Sequence, residues 1–326
     1  MSFEIKNPAD GSVLNKHDFT AKDFDVAQLH ENSFTQSLPF GETKVRQWIF
    51  DGIRINYSET EINELTEFNW KGDTEMVTMH FNLQGSISIN DKNSAYNYEL
   101  SGNEHNIFYG KEAEGTIKFD ELKMKLFMIQ LSKDAFLKIA EKGNDSIKRF
   151  SENVISGKSV AFSEKNGNID LNLQQSINSI LNCRLSDSLK RMFFYSKVIE
   201  ILALQAESLD KATNQKTLYI KKEYDKERIL FARNYLLQHI DLPPTIPELS
   251  MIAGINEYKL KRGFKETFGQ TIFEYLSEVR LELAKNDLLE KHKTVTQIAF
   301  ELGYSSPQHF SSAFKKKFDI SPGKAK

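Results

Sequence analysis

The sequence predicts an α+β protein: an antiparallel β barrel or sandwich followed by helices, then an all-α domain with two helix-turn-helix units joined by a long helix. Three observations carry the prediction. Short aromatic and β-branched runs fill the stretch from Lys44 to about Ser132. Apolar residues then recur at three and four as far as about residue 206. The last hundred residues contain one segment twice.

The β-like runs are VRQWIF, GIRINYSE, EMVTMHFNL, AYNYEL, HNIFYG, GTIKF and KMKLFMIQL. Turn-forming clusters separate them, among them Asp51-Gly52, Lys71-Gly72-Asp73, Asn90-Asp91 and Ser101-Gly102-Asn103. Aromatic and branched side chains fit a pleated surface, and strands at such spacing close into an antiparallel sandwich or barrel. The barrel is placed at about 44–132 and its following helices at about 133–206.

Those helices are DAFLKIAEK, NLQQSINSILNC and SDSLKRMFFYSKVIEILALQAESL. The last starts at Ser186 or Asp187, either of which can cap it. Its apolar residues, Leu189, Met192, Phe193, Val198, Ile199, Leu202 and Ala203, are too broadly spread for one stripe. It either packs under the β domain or also meets its twin in a dimer. The polar stretch 207–223 reads as a linker, and residues 224–326 as the second domain.

With 326 residues the chain is long enough for two cores, and 27% charged with 40% hydrophobic residues is globular rather than disordered composition. Neither a signal peptide nor an apolar run of roughly 18 residues is visible, so no membrane is expected. The single cysteine, Cys183, cannot form an internal disulfide. These features place the protein in the cytoplasm. Net charge is −2, yet Asp225 to Lys326 holds 16 basic and 13 acidic residues, leaving an acidic body and a modestly basic module.

The repeat lies in that module. TIPELSMIAGINEYKLKRGFKETFG aligns with TVTQIAFELGYSSPQHFSSAFKKKFD: Thr245 with Thr294, Leu249 with Ile298, Gly254 with Gly303. One added residue in the second turn then brings Leu260 to Phe310, Phe264 to Phe314 and Phe268 to Phe318. Each copy makes sense as helix-turn-helix. A first helix buries Leu249 and Ile252, or Ile298 and Leu302. Glycine ends it in the left-handed conformation, which costs a residue without Cβ little. Asn256 or Ser306 caps the second helix, and Pro307 takes a first position where no N–H is needed. The second helix hides aromatic and aliphatic residues at steps of four, leaving a polar, basic face free to enter a major groove. Between the copies, TIFEYLSEVRLELAKNDLLEKH reads as one stiff helical spacer.

The stretches AGINEYKLKRGFKETFG, YLSEVRLELAKNDLL and TVTQIAFELGYSSPQHFSSAFKKKFDISP resemble the DNA-binding domain of the AraC/XylS family, over about a hundred residues. The resemblance implies that the second helix of each pair reads DNA. In the first reader it implies Tyr258, Lys261 and Arg262 at the bases, with Lys265 on phosphate. In the second it implies Gln308, His309, Ser311 and Ser312, with Lys315 and Lys316 near the backbone. Arg262 suits bidentate bonding to guanine, Tyr258 apolar contact with a thymine methyl, and Gln308 pairing with adenine. Ser312 stands where the family frequently has arginine. Arg280, in the spacer, falls at a structural or phosphate-facing position.

The same resemblance implies a sensor and dimerisation domain built on a cupin-like barrel. Within the family, YSKVIEILALQAESL and the preceding β pattern look most like the pyochelin-regulator type, which responds to iron-loaded siderophores. The expected partners are double-stranded promoter DNA, RNA polymerase, a small-molecule effector such as a siderophore, and a second copy of the chain. An activator is the expected sense of regulation.

For an effector pocket, Arg46 and Trp48 could hold an anionic aromatic ligand by ion pairing and stacking, and His80 lies on the polar side of its strand. The ordinary alternative is a surface arginine beside a packed tryptophan. His17, His30, His80 and His105 form no HxH or HExxH pattern, so neither a metal nor a cofactor is expected. A cupin-type isomerase or dioxygenase would need such ligands. DNA-repair methyl transfer would need an activated thiolate, and Cys183 has only Arg184 as a charged neighbour. No enzyme activity is expected. Control by a partner protein in place of a small ligand is the alternative within regulation.

Overall fold

A computed structural model of the chain describes residues 2–7, 10–18, 24, 26, 28–38, 40–65, 67–72, 75–91, 97–110, 113–214, 223–289 and 293–325. The chain divides into two compact units, Met1–Gln215 and Lys216–Lys326.

The first unit holds two antiparallel sheets. One runs in the order β2 (Val13–Asp18), β1 (Ser2–Lys6), β6 (Glu67–Gly72), β11 (Ala113–Phe119), β8 (Ile87–Asp91), β9 (Asn97–Leu100). The other runs β13 (Val160–Ala161), β10 (Glu104–Gly110), β7 (Met76–Gln84), β12 (Lys123–Ser132), β5 (Ile53–Ile62), β4 (Gly41–Phe50), β3 (His30–Leu38), with β14 (Gly167–Asn168) also on β10. Strands therefore begin well before Lys44. Their sequences hide this because β3 lies at a sheet edge and is exposed along most of its length, so it shows no apolar alternation.

Register sorts the larger sheet into two faces, because side chains alternate along a strand. Trp48, Ile55, Ile129, Met79 and Ile107 oppose one another across β4, β5, β12, β7 and β10. This row is buried against four helices: α1 (Lys133–Ala140), α2 (Asp145–Ser156), α3 (Leu171–Leu181) and α4 (Asp187–Asn214). The alternate row is Gln47, Asn56, Met128, His80 and Asn106. On that side a second cluster forms, in which Ile87, Ile89, Leu100 and Met124 pack with Trp70, Tyr98, Phe108 and Leu126.

α4 extends to Asn214, which corrects the linker expected at 207–223. Leu209 is fully buried, the Ser208 hydroxyl meets His105 Nε2 at 3.0 Å, and the Thr213 hydroxyl meets Ser163 Oγ at 3.0 Å. The polar residues that conceal the helix in sequence are thus its partners on the sheet side. Residues 215–222 of the expected linker lie outside the described residues. Phe194, Val198, Ile201 and Leu202 face the core. Leu189, Met192 and Ile199 are exposed on the other side of the helix, as is Ala203.

The second unit is helical: α5 (Glu223–Gln238), α6 (Ile246–Ala253), α7 (Glu257–Phe268), α8 (Ile272–Leu289), α9 (Val295–Glu301) and α10 (Pro307–Phe318). Among the described residues no helix is long and apolar enough to cross a membrane.

Candidate nucleic-acid interface

α6 starts on a capping box. The Thr245 backbone N–H donates to Glu248 Oε2 at 2.8 Å, and Glu248 N–H donates back to Thr245 Oγ1 at 3.4 Å. The Thr245 N–H and hydroxyl hold the Glu248 carboxyl below its ordinary range. The helix ends at Gly254, whose φ of 65° is the left-handed value. Two residues on, Asn256 Oδ1 accepts from Lys259 N–H at 2.8 Å and opens α7. Leu249 and Ala253 face inward, whereas Ile252 is 38% exposed. The expectation that Ile252 is buried is corrected: Ala253, four residues after Leu249, takes the inner position.

α7 buries Leu260, Phe264 and Phe268, with Phe264 set edge-on to Tyr275 of α8 at 5.5 Å. The opposite face carries Tyr258, Lys261, Arg262 and Lys265, all exposed, at spacings of three, one and three. These spacings put all four on a single side of the helix. Lys259 behaves differently. Its ammonium meets Asp225 of α5 at 2.8 Å, so it fastens α7 and does not extend the exposed face.

The second pair repeats this construction. Thr294 N–H donates to Gln297 Oε1 at 2.9 Å, and Gln297 N–H donates to Thr294 Oγ1 at 3.2 Å. Gly303, with φ 71°, turns the chain. Ser306 Oγ accepts from His309 N–H at 3.2 Å, and Pro307 occupies the first position of α10. Phe310 and Phe314 are fully buried while Phe318 is half-buried. Gln308, His309, Ser312, Lys315 and Lys316 are exposed, and Ser311 is half-buried. His309 Nδ1 also lies 3.0 Å from Ser305 Oγ. Lys317 leaves the lysine cluster, pairing with Glu278 and Glu282 of α8 at 2.9 Å each.

Arg280 is half-buried. Its Nε donates to the Ile240 carbonyl at 2.9 Å, and its guanidinium sits 5.7 Å from the centroid of the Tyr304 ring. These contacts agree with the structural one of the two positions that the resemblance implies.

The three residues considered for an effector pocket do not come together. Trp48 is 1% exposed and packs edge-on against Phe194 of α4 at 5.5 Å. Arg46 lies over the Trp48 ring at 5.0 Å and donates to the Leu181 carbonyl at 3.2 Å, clamping the end of α3. That pair belongs to the sheet–helix packing and departs from the expected anion clamp. His80 faces the other way, in the row with Asn56, Met128 and Asn106. It is buried, its Nε2 has no hydrogen-bond partner among the described residues, and burial pushes its pKa down to about 4. Among the described residues, no three His, Cys, Asp or Glu side chains gather as a metal site.

Sequence reasoning missed the two capping boxes and the anchoring roles of Lys259 and Lys317. The boxes were visible as Thr-x-x-Glu and Thr-x-x-Gln at equivalent places in the repeat. The ion pairs were not, since their acidic partners lie from 34 to 39 residues away.

Comparison with known proteins covers both units. The N-terminal domain of the regulatory protein PchR matches residues 40–220, and a helix-turn-helix domain matches residues 249–326. The probable transcriptional regulator LumQ of Photobacterium leiognathi is 31% identical over 105 residues, 32% of this chain. That match spans 42% of the length of LumQ. The regulatory protein SoxS of Salmonella typhimurium is 36% identical over 85 residues, which are 26% of this chain and 79% of SoxS. Among solved structures, a transcriptional regulator with an AraC-type DNA-binding domain from Chromobacterium violaceum is 27% identical, covering 32% of this chain and 93% of that one, with a TM-score of 0.30.

Proposed function

We propose, from the premise that this chain belongs to the AraC-type family of DNA-binding transcription regulators and carries the PchR-type regulatory N-terminal domain, that it is a sequence-specific, ligand-responsive activator. In this reading α6–α7 and α9–α10 are two helix-turn-helix readers, and α7 and α10 enter successive major grooves. The observation that carries it is the repeated exposed face: Tyr258, Lys261, Arg262 and Lys265 on one helix, Gln308, Ser312, Lys315 and Lys316 on the other. Each face is backed by the same buried ladder and framed by the same caps. Charged side chains near phosphate position a protein on duplex DNA, while Arg262 and Gln308 supply donors for base edges.

The two sheets act as a cupin-like sensor whose effector is a small molecule, with a ferric siderophore as the first candidate. His80, Asn56 and Asn106 support this, because they place polar groups on the side of the larger sheet that bears Trp70, Tyr98 and Phe108. An effector acts by binding two arrangements of the readers unequally. The exposed stripe Leu189, Met192 and Ile199 of α4 is the dimer contact. The protein works in the cytoplasm and recruits RNA polymerase.

Selection of bound sequences from random duplex DNA, with and without a panel of ferric siderophores, tests the reading. A two-part motif whose yield changes with one siderophore supports it. Absence of any selected motif defeats the DNA reading, and a motif indifferent to every siderophore defeats the proposed effector class.

A further inference from the structure

Two features of the second unit bear on how its two readers are held relative to each other. The first is the position of Arg280, halfway along α8. Its Nε and Nη2 both donate to the carbonyl of Ile240, which lies just beyond α5. α5 is itself fastened to the first pair: Asp225 holds Lys259 of α7 at 2.8 Å, and the Arg233 guanidinium lies 5.5 Å from the Phe268 ring centroid. The same Arg280 guanidinium sits against Tyr304, whose ring packs edge-on to Phe310 of α10 at 5.3 Å. One side chain thus touches the support of the first pair and the turn of the second.

The second feature is a contrast between two glycines at equivalent places in the repeat. Gly254 and Gly303 share the left-handed backbone, with φ of 65° and 71°. A Cβ on Gly254 would find nothing nearer than 3.8 Å, from Arg228. On Gly303 it would fall 2.0 Å from the Asp241 carbonyl oxygen and 2.5 Å from Arg280 Nη2. Helix termination asks the same of both glycines, so the crowding at Gly303 has another source. The turn of the second pair is pressed directly against the segment 240–241 that follows α5.

We propose that the joint of Arg280, the Ile240 carbonyl, Gly303 and Tyr304 sets the angle between α7 and α10, and so fixes the separation of the two DNA half-sites. This rests on both helices being DNA readers. Arg280 is a positioning residue in this account, touching no base. A guanidinium suits the task because its planar fork can bond a carbonyl while its face lies on a ring, which an ammonium cannot do. Each reader keeps a core that does not involve the joint: Phe264 and Phe268 pack against Tyr275 near the start of α8, and Phe310 and Phe314 cluster with Ile298, Leu302 and, further along α8, Leu281, Ala284 and Leu288. Loss of the joint should therefore loosen spacing without changing the bases read.

The test uses the full-length chain as wild type and as Arg280→Ala, Arg280→Lys, Gly303→Ala and Gly254→Ala. Each is put through selection from random duplex DNA, then titrated on the composite site and on isolated half-sites. Wild type should select two half-sites at one spacing. Arg280→Ala and Gly303→Ala should recover the same half-sites at mixed spacings and bind the composite site about tenfold more weakly, with half-site affinity unchanged. Arg280→Lys should behave like Arg280→Ala. Gly254→Ala carries the same left-handed strain and should keep the wild-type spacing.

Fixed spacing in Arg280→Ala, with uniformly weaker binding and rescue by Arg280→Lys, would show a phosphate contact and overturn the proposal. Should Arg280→Ala fail to fold, Gly303→Ala decides: retained spacing overturns the proposal, mixed spacing supports it. A wild type selecting only one half-site refutes the two-reader premise and this inference with it. A wild type with fixed spacing that neither variant loosens refutes the inference alone.

Discussion

The Arg262 guanidinium lies 5.8 Å from the centroid of the Tyr258 ring, one helical turn back along the exposed face of α7. A cation beside a ring face is held by the ring's charge distribution, so the base-reading role proposed for Arg262 would begin from a partly ordered side chain. Arg262→Ala should cost about 1–3 kcal/mol on the preferred site and relax the choice of base at one position. Binding measured across single-base operator variants checks this; equal discrimination by wild type and variant removes Arg262 from base reading.

Lys315 and Lys316 are exposed in the last turns of α10, apart from Lys317, which α8 holds. Lys315→Ala should weaken all sequences alike and reduce the slope of log affinity against log salt by about 0.9, the loss of one phosphate contact. A salt titration of both proteins on one duplex measures it. A change in base preference without a change in slope would reassign the residue.

The acid response of the first unit follows from His80 and His105. Burial pushes their pKa values down to about 4 and about 3. In the unfolded chain both titrate near pH 6.5, so below that the unfolded state binds protons which the native state refuses. Stability is complete above about pH 6.5 and falls as pH drops towards 4, by up to about 1.4 kcal/mol per pH unit for each histidine. Both tryptophans, Trp48 and Trp70, lie in this unit. Urea unfolding followed by their fluorescence at several pH values therefore reads it directly. Equal stability at about pH 7 and about pH 5 would contradict the burial of these rings.

Leu189, Met192 and Ile199 are 53%, 70% and 42% exposed along one side of α4. Their spacing of three and seven is that of a helix–helix seam. Met192→Glu should convert a dimer into a folded monomer in sedimentation equilibrium, because a carboxylate cannot be buried unpaired at such a contact. A wild type that is already monomeric at the same concentration rules the seam out.

What the sequence made legible was whatever local chemistry decides. Asn256, Ser306 and Pro307 could be placed at their helix starts, and Gly254 and Gly303 at their turns, because caps and left-handed turns depend on few neighbours. The exposed faces of α7 and α10 followed from the step of four in Leu260, Phe264 and Phe268 and in Phe310 and Phe314. Longer-range relationships stayed hidden. Ile252 is more apolar than Ala253, yet the helix turns Ala253, four residues after Leu249, to the inside and leaves Ile252 exposed. Trp48 and Arg46 looked like a ligand clamp because composition cannot say which sheet face a helix will cover. The end of α4 read as linker because Ser208 and Thr213 find their partners on distant segments.

Methylation interference at guanine N7 on a selected operator tests the central claim most directly, since N7 faces the major groove where α7 and α10 are proposed to lie. Two clusters of interference are expected about 10 base pairs apart on one face of the duplex. In Arg262→Ala the interference should be lost at the one guanine assigned to Arg262 and persist at the others. A single cluster, or two on opposite faces, would contradict that claim.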